Sequence, residues 1–280
     1  MERPKRAYWE DRSSGPPAQT YPAPLAPCAA DVLTLEARVE AHARGLGRRP
    51  LRALLLGVTR PLAEMRMPAG ASLLAVDWSR AMIARWWAER PRAGLRAAVL
   101  ADWRELPFGT ACLDLALGDG CYAALGSFEE CADVNAELRR VLRPGGQFVQ
   151  RCFVRPDAPE PLDALFGDLG AGRIRVFEVF CWRLAMALHD DSRRGVKLHD
   201  VWRVWNARAQ DPAALLARLG WNARALGMIE RWRGVELRMP FPTLAELRAL
   251  AAPWFELEAC SFAGYEMGDR CAYLALRARP

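Results

Sequence analysis

Five short apolar runs constrain this chain more than any other feature. LRALLLGV at 51–58, ASLLAVD at 71–77, LRAAVLAD at 95–102, CLDLALGD at 112–119 and QFVQRCFV at 147–154 have the length and density that strands buried on both faces require. Between them lie segments of helical period, SRAMIARWWAER at 79–90 and SFEECADVNAELRRVLRPGG at 127–146. In the second, Ser127 and Glu130 form a capping box and Val134, Leu138, Val141 and Leu142 keep helical spacing. Pro144, Gly145 and Gly146 then end the element. Strands alternating with helices specify an α/β fold with a doubly wound, largely parallel sheet, and such sheets bind ligands beyond the carboxyl ends of their strands.

The flanking sequence follows other patterns. Residues 11–30 are rich in Pro, Ser, Ala and Gly and predict an irregular arm. A helix should follow, capped by Asp31, with Val32, Leu35, Val39 and Ala43 on one stripe and Gly45 and Gly47 as its stop. Residues 157–250 read as mostly helical: Asp211 and Pro212 open one helix that Gly220 closes, and Thr243 with Glu246 opens another. FELEACSF at 255–262 and CAYLALRA at 271–278 supply two closing strands. The expected organisation is an N-terminal arm and helix at 1–50, an α/β core at 51–156, a helical insertion or lid at 157–250, and closing strands at 251–280.

Composition narrows the function classes. No stretch approaches the roughly 18 apolar residues of a membrane span. MERPKRAYWEDRSSGPP, at the start, lacks the apolar run of about 7–15 residues of a secretory signal, so a cytoplasmic location is expected. Eight cysteines are scattered without CxxC or short metal spacing, which predicts reduced, mostly buried thiols and no metal site. The net charge of +6 comes almost wholly from arginine, with Lys5 and Lys197 as the only lysines. Its one dense cluster, RGLGRRPLR at 44–52, has no interleaved aromatics and reads as a solvated helix end, so nucleic acid is not expected as a partner.

The chemistry lies in the order of polar residues at strand ends. Asp77 follows Gly57 by 20 residues, a spacing at which a carboxylate accepts both hydroxyls of a ribose held over the first strand. Asp102 ends the third run, where it can accept from an adenine amino group. Trp78 and Trp103 stand beside those aspartates and can flank the purine by stacking. The strings VDWSRAMI (76–83), LADWRELPF (100–108), DLALGDGCYAAL (114–125) and ELRRVLRPGG (137–146), in this order, resemble the class I S-adenosylmethionine-dependent methyltransferases, in particular the bacterial small-molecule branch. The resemblance covers about residues 50–155. It implies a Rossmann-like methyltransferase sheet, S-adenosyl-L-methionine as cofactor and a small-molecule acceptor. It assigns ribose to Asp77 and adenine to Asp102 and Trp103. The methionine end and reaction centre fall to the stretch from Gly118 through Asp119 and Gly120 to Tyr122.

One segment departs from the family pattern. Where the family has an acidic residue and a glycine-rich loop, this chain reads LLLGVTRPLAE at 54–64, with Leu55 at the acidic position and Thr59 and Pro61 at later glycine positions. The Thr59 hydroxyl is a candidate replacement donor to the cofactor beside Gly57. His189 and His199 are general-base candidates if the acceptor must lose a proton, and Asp119 and Tyr122 are further candidates. The insertion's Phe177, Phe180, Trp182, Trp202, Trp205 and Trp232 either roof a dry pocket over the sulfonium or form its core. Two rival readings stand beside a methyltransferase: a non-catalytic module that kept the fold, and a nicotinamide dehydrogenase. The second lacks a GxGxxG string.

Overall fold

The computed structural model describes residue 8 and residues 22–87, 95–190, 193–209, 211–221 and 223–280. Most of the expected arm and the last residues of the expected helix at 79–90 fall outside them. The apolar runs become β1 (Arg52–Leu56), β2 (Ser72–Asp77), β3 (Leu95–Leu100), β4 (Leu113–Asp119) and β5 (Leu142–Phe153). With β8 (Phe255–Phe262) and β9 (Cys271–Ala278) they form a sheet of order β3-β2-β1-β4-β5-β9-β8. β1 to β5 pair in parallel, and β9 enters antiparallel between β5 and β8. The strand order reverses at β1, where the chain turns first to β2 and later to β4. This crevice is where a doubly wound sheet holds a ligand.

Alternation along the strands sends side chains to two apolar layers. Ala53 and Leu55 of β1, Leu115 and Leu117 of β4 and Val149 of β5 pack against α1 (Ala29–Gly45), through Leu35 and Val39, and against Leu62 of α2 (Arg60–Glu64). Leu54, Leu56, Ala116 and Phe148 face α4 (Phe128–Val141) and α10 (Leu244–Ala251) on the other side. Each face is dry because the residues at period two are apolar on both sides. α3 (Arg80–Trp86) follows β2 on the α1 side, where its Met82 and Ile83 are half-buried.

Residues between β5 and α10 form a third apolar cluster. α5 (Leu162–Gly170), α6 (Phe177–Ala187), α7 (Leu198–Arg208), α8 (Pro212–Leu219) and α9 (Ala223–Glu230) gather Phe177, Phe180, Trp205 and Ile229 with a two-stranded ribbon, β6 (Val196–Lys197) and β7 (Arg238–Met239). α10 belongs with the sheet, since its Leu247 and Ala251 sit among Val134 and Leu138 of α4.

Several ends differ from the sequence reading. Asp31 does not cap α1 from outside. It is the third helical residue, and its buried carboxylate accepts from Cys28 N at 2.7 Å. α4 stops at Val141, before Pro144, because β5 pairing begins at Leu142. Ser127 Oγ accepts from Glu130 N as expected, but Glu130 returns its carboxylate to Gly126 N. Thr243 and Glu246 satisfy each other in full, and Asp211 and Gly220 bound α8 as read.

At the amino ends of the strands Asp114 binds Arg49 and Arg143 at 2.5 Å each and Arg52 N at 2.9 Å. Burial alone would push its carboxyl up, but these donors outweigh it and hold it below the usual range. Its stabilisation is therefore present above the unfolded carboxyl pKa and lost as pH falls below it. Asp114→Ala is expected to cost about 2 kcal/mol in urea unfolding at pH 7, discounted for the part-exposed arginines, with a smaller difference at pH 3.

Candidate active site

The carboxyl ends of β1, β2, β4 and β5 open on one cavity of about 1080 Å³. Residues 25–29 and the first turns of α1 form one wall, α2 and α3 another, and Trp182 of α6 with Met239 of β7 close the far side. Gly57, Thr59, Asp77, Trp78, Trp103, Asp119 and Gly120 all line it. Asp102, Gly118, Tyr122, His189 and His199 do not.

Gly57 shows why the first loop keeps one glycine. Its φ is +85°, and a Cβ there would stand 3.5 Å from Trp103 Cζ2 and 3.9 Å from Asp77 Oδ2, so a side chain would be both strained and lodged between the cavity residues. Thr59 precedes α2 without a side-chain cap bond, and Pro61 sits in that helix's first turn, where its fixed φ is already helical. A rigid turn thus stands where the family has glycines.

Asp77 is 7% exposed, and no ion pair joins it among the described residues. Its Oδ1 accepts from Ser79 N at 2.8 Å, and Ser79, not Asp77, caps α3 by accepting from Met82 N. Burial pushes the carboxyl up to about 6, against the pull of the backbone N–H groups of Ser79, Trp78 and Val58. A buried carboxylate without a cation is costly and is a mark of sites kept for a ligand.

The two tryptophans lie 6° from parallel with centroids 6.4 Å apart. A ring between them would need roughly 7 Å, twice the carbon contact distance, so the pair as placed is too close to sandwich a purine. Trp103 is pinned by its Nε1–H bond to Val76 O at 2.6 Å. Stacking against one ring fits this geometry, whereas flanking by both does not.

Asp102 is turned to a separate charged recess with Arg104, Glu105, Glu137 and Arg140. Arg104 grips both its oxygens, Nε and backbone N on Oδ1 at 3.0 Å and Nη2 on Oδ2 at 2.8 Å. Burial raises its pKa, yet the Arg104 bonds prevail and hold it low.

At the end of β4 the side chains part. Gly118 points to the α4 face, where a Cβ would meet Cys121 Sγ at 2.9 Å and Phe148 at 3.2 Å. Tyr122 is buried on that side with its hydroxyl on Asn135, and burial holds its pKa well above the usual value; it faces the core and not the cavity. Asp119 takes the other face, its Oδ1 bound by Arg151 Nε at 2.6 Å. Arg151 is 1% exposed and also reaches Asp31 at 3.7 Å and the Tyr265 hydroxyl at 2.8 Å. Burial works against its charge, but Asp119 and Asp31 outweigh it and push its pKa up. Cys121 also borders the cavity, but its thiol turns to Gln150 Oε1 on the α4 side, and burial pushes its pKa up to about 12.

Both histidines lie apart from this cavity. His189 is buried against Phe128 and Phe241, and burial, then Arg155, lowers it to about 4. His199 stacks on Trp202 and accepts from Gly234 N through Nδ1. Of the insertion's aromatics only Trp182 reaches the wall; Phe177, Phe180, Trp205 and Trp232 are core. Sequence reasoning missed Asp31, Arg151 and Phe153 as site residues. The signal was present in QFVQRCFV, since an arginine inside a run that must be buried needs a built partner.

The sheet is doubly wound, with a large cavity at its switch point, a buried carboxylate at the end of β2 and a glycine facing it. Residues 56–150 match the family model of a methyltransferase domain. No curated protein matches the chain. Among solved structures, a candidate Zn-dependent alcohol dehydrogenase from Rhodobacter sphaeroides aligns with TM-score 0.60 at 16% identity over 100% of both chains. The N-methyltransferase NodS from Bradyrhizobium japonicum WM9, in complex with S-adenosyl-L-homocysteine, aligns with TM-score 0.53 at 10% identity over 99% of both. A SAM-dependent methyltransferase from Methanosarcina mazei gives TM-score 0.50 at 13% identity, over 85% of this chain and 96% of that one. At these identities the likeness is one of fold. Residues 56–150 are thus similar to a methyltransferase domain, and the chain shares the fold of solved SAM-dependent methyltransferases.

The raised pKa of Asp77 makes a testable claim about stability. The folded state binds its proton more tightly than the unfolded chain, so the cost of the bare carboxylate grows as pH rises from about 4 to about 6 and is fully present above. Asp77→Asn keeps the acceptor for Ser79 and removes the charge. Urea unfolding at pH 7 should show the variant more stable by roughly 1–3 kcal/mol, with the gain shrinking toward pH 4; equal or lower stability at pH 7 would contradict the assignment.

Proposed function

We propose that this chain is an S-adenosylmethionine-dependent methyltransferase acting on a small molecule. The observation that carries the reading is Asp77, a 7%-exposed carboxylate without an ion-pair partner among the described residues, set at the end of β2 opposite Gly57. No cation offsets its charge, and a pair of ribose hydroxyls would add donors to the backbone N–H groups of Ser79, Trp78 and Val58. The residues present fit the cofactor: a Cβ would fill the cradle at Gly57, and Trp78 offers a face for the adenine. The turn at Asp119 and Gly120 lies one strand from β1, on the side toward the methionine end.

When bound, S-adenosylmethionine supplies a methyl group already activated by its sulfonium. The chain's own work is then alignment and exclusion of water. Phe153, Trp182, Met239 and Ala123 make the far wall apolar, and aromatic faces favour a cation while keeping water out. Asp119 is neutralised by Arg151, and both histidines lie outside the wall. The reading therefore assigns no general base and takes an acceptor whose lone pair is available at neutral pH.

The Arg104 clasp on Asp102 favours the non-catalytic reading, because an adenine amino group would have to share a carboxylate already bound at both oxygens. Calorimetric titration with S-adenosylmethionine and S-adenosylhomocysteine separates the two. Micromolar affinity that weakens at least tenfold in Asp77→Ala supports the enzyme, and no binding to folded protein supports the module. If Asp102 serves adenine, Arg104→Ala should tighten S-adenosylhomocysteine binding about three- to tenfold.

A further inference from the structure

We infer that the methyl acceptor is an aromatic amine, held at the β4 end of the cavity by an N–H bond to the open carboxylate oxygen of Asp119. The inference rests on the proposed cofactor site and names what lies beside it. β4 is next to β1 and two strands from β2. Neighbouring strands lie about 4.8 Å apart, so Asp119 stands roughly 10 Å from Asp77. A cavity of about 1080 Å³ is at the upper limit of pockets that hold one drug-sized ligand, roughly 300–1,000 Å³, so it has room for a second molecule.

Asp119 meets its internal partner with one oxygen. Arg151 Nε bonds Oδ1 at 2.6 Å, and Oδ2 has no partner among the described residues. The side chain keeps 6% of its surface and lines the cavity, and Oδ2, unlike Nη2 of Arg151, is not sealed from it. The groups behind are committed elsewhere. Arg151 Nη1 donates to the Tyr265 hydroxyl at 2.8 Å and faces Asp31 at 3.7 Å, and the Tyr273 hydroxyl donates to Asp31. A donor arriving from the cavity therefore meets Oδ2 directly. Because Arg151 already offsets the charge through Oδ1, the open oxygen suits a neutral N–H.

Beside Asp119 the wall is apolar and aromatic. Gly120 comes so close to Phe153 that a Cβ would stand 2.9 Å from its Cε2, and Phe153 meets Trp182 at 81° with centroids 5.6 Å apart. Such a corner suits a planar ring. The acceptor's nitrogen follows from what the walls withhold. Both histidines lie outside the cavity, Asp77 is assigned to ribose and Asp119 is tied to Arg151, so this end offers no group to take a proton first. An alkylamine, with a pKa of about 10.4 like lysine, is protonated at neutral pH and has no lone pair to give, and a phenol, with a pKa of about 10, must lose its proton before attack. An aromatic amine keeps both a free lone pair and an N–H. Its lone pair forms the N–C bond as the C–S bond breaks, and the electrons of the broken bond stay on sulfur. The arylammonium so formed is a cation against the same aromatic faces that favour the sulfonium, and it gives one N–H proton to water on release.

The test uses full-length protein saturated with S-adenosylhomocysteine and titrates 2-aminonaphthalene and naphthalene, followed by probe fluorescence. 2-Aminonaphthalene should bind about tenfold more tightly than naphthalene, the worth of one hydrogen bond to a charged acceptor. Asp119→Asn should bring the two probes within about twofold of each other, and a preference kept in that variant overturns the inference. Equal binding of the two probes to the wild-type protein overturns it without any variant. So does a preference that S-adenosylhomocysteine abolishes, since Oδ2 then serves the cofactor's own ammonium group. With S-adenosylmethionine supplied, methylation of 2-naphthol in preference to 2-aminonaphthalene overturns the choice of nitrogen. If the amine is preferred and S-adenosylhomocysteine does not bind, the amine subsite stands and the cofactor reading falls.

Discussion

The buried guanidinium of Arg151 is the constraint around which the cavity is arranged. Register places Asp119, Arg151 and Tyr273 side by side on β4, β5 and β9, so all three project to the α1 face. Asp31, in the first turn of α1, completes the group by accepting from the Tyr273 hydroxyl and facing Arg151. A charge 1% exposed would be ruinous alone, and the paired carboxylates and tyrosine hydroxyls are what make it tolerable. Replacing the group by hydrocarbon would serve stability at least as well. What it adds is position: it fixes the helix whose first turns wall the cavity to the strand whose end forms the floor.

The sheet then sets where each remaining group faces. Odd-numbered residues of β2, β4 and β5 point to the α1 side, which brings Asp77 and Asp119 to the same face of the sheet, and even-numbered ones point to α4, which sends Gly118 and Gln150 away from the cavity. Tyr122 lies beyond β4 in a short 3-10 turn, Cys121–Ala124, which sends it to the α4 core. Its hydroxyl is satisfied by Asn135 among Cys131 and Cys152. Position within a family string identified the stretch, but side-chain direction divides it between ligand and core.

This division marks what was legible in the sequence. The period-two and unbroken apolar runs carried the strands, and capping chemistry carried Thr243 and Asp211, because both signals are local. The crossing of α4 into β5 was misread at Pro144, since pairing with β4 pulls Leu142 and Arg143 into the strand earlier than turn residues suggest. The clasp of Arg104 on Asp102 joins residues two apart, yet nothing in LADWRELPF states that the carboxylate turns toward Arg104 and away from the cavity. His189 and His199 were attractive for their chemistry alone, and tertiary packing set both apart. Arg151 was the opposite case, a charge visible in a buried run whose partners, Asp31 at one end of the chain and Tyr265 near the other, only the fold brings together.

The cavity wall carries one buried carboxylate without an ion-pair partner among the described residues. Asp77, at the end of β2, accepts from the backbone N–H groups of Ser79, Trp78 and Val58, yet no cation offsets its burial. Toward β5 the wall is apolar or internally paired, with Asp119 held by Arg151. Unmet polar groups cost stability in the free protein and are repaid when a matching ligand arrives. The buried charge of Asp77 is the group that a hydrogen-bond-donating ligand would offset, and the apolar wall beyond it offers exclusion of water rather than a reactive side chain.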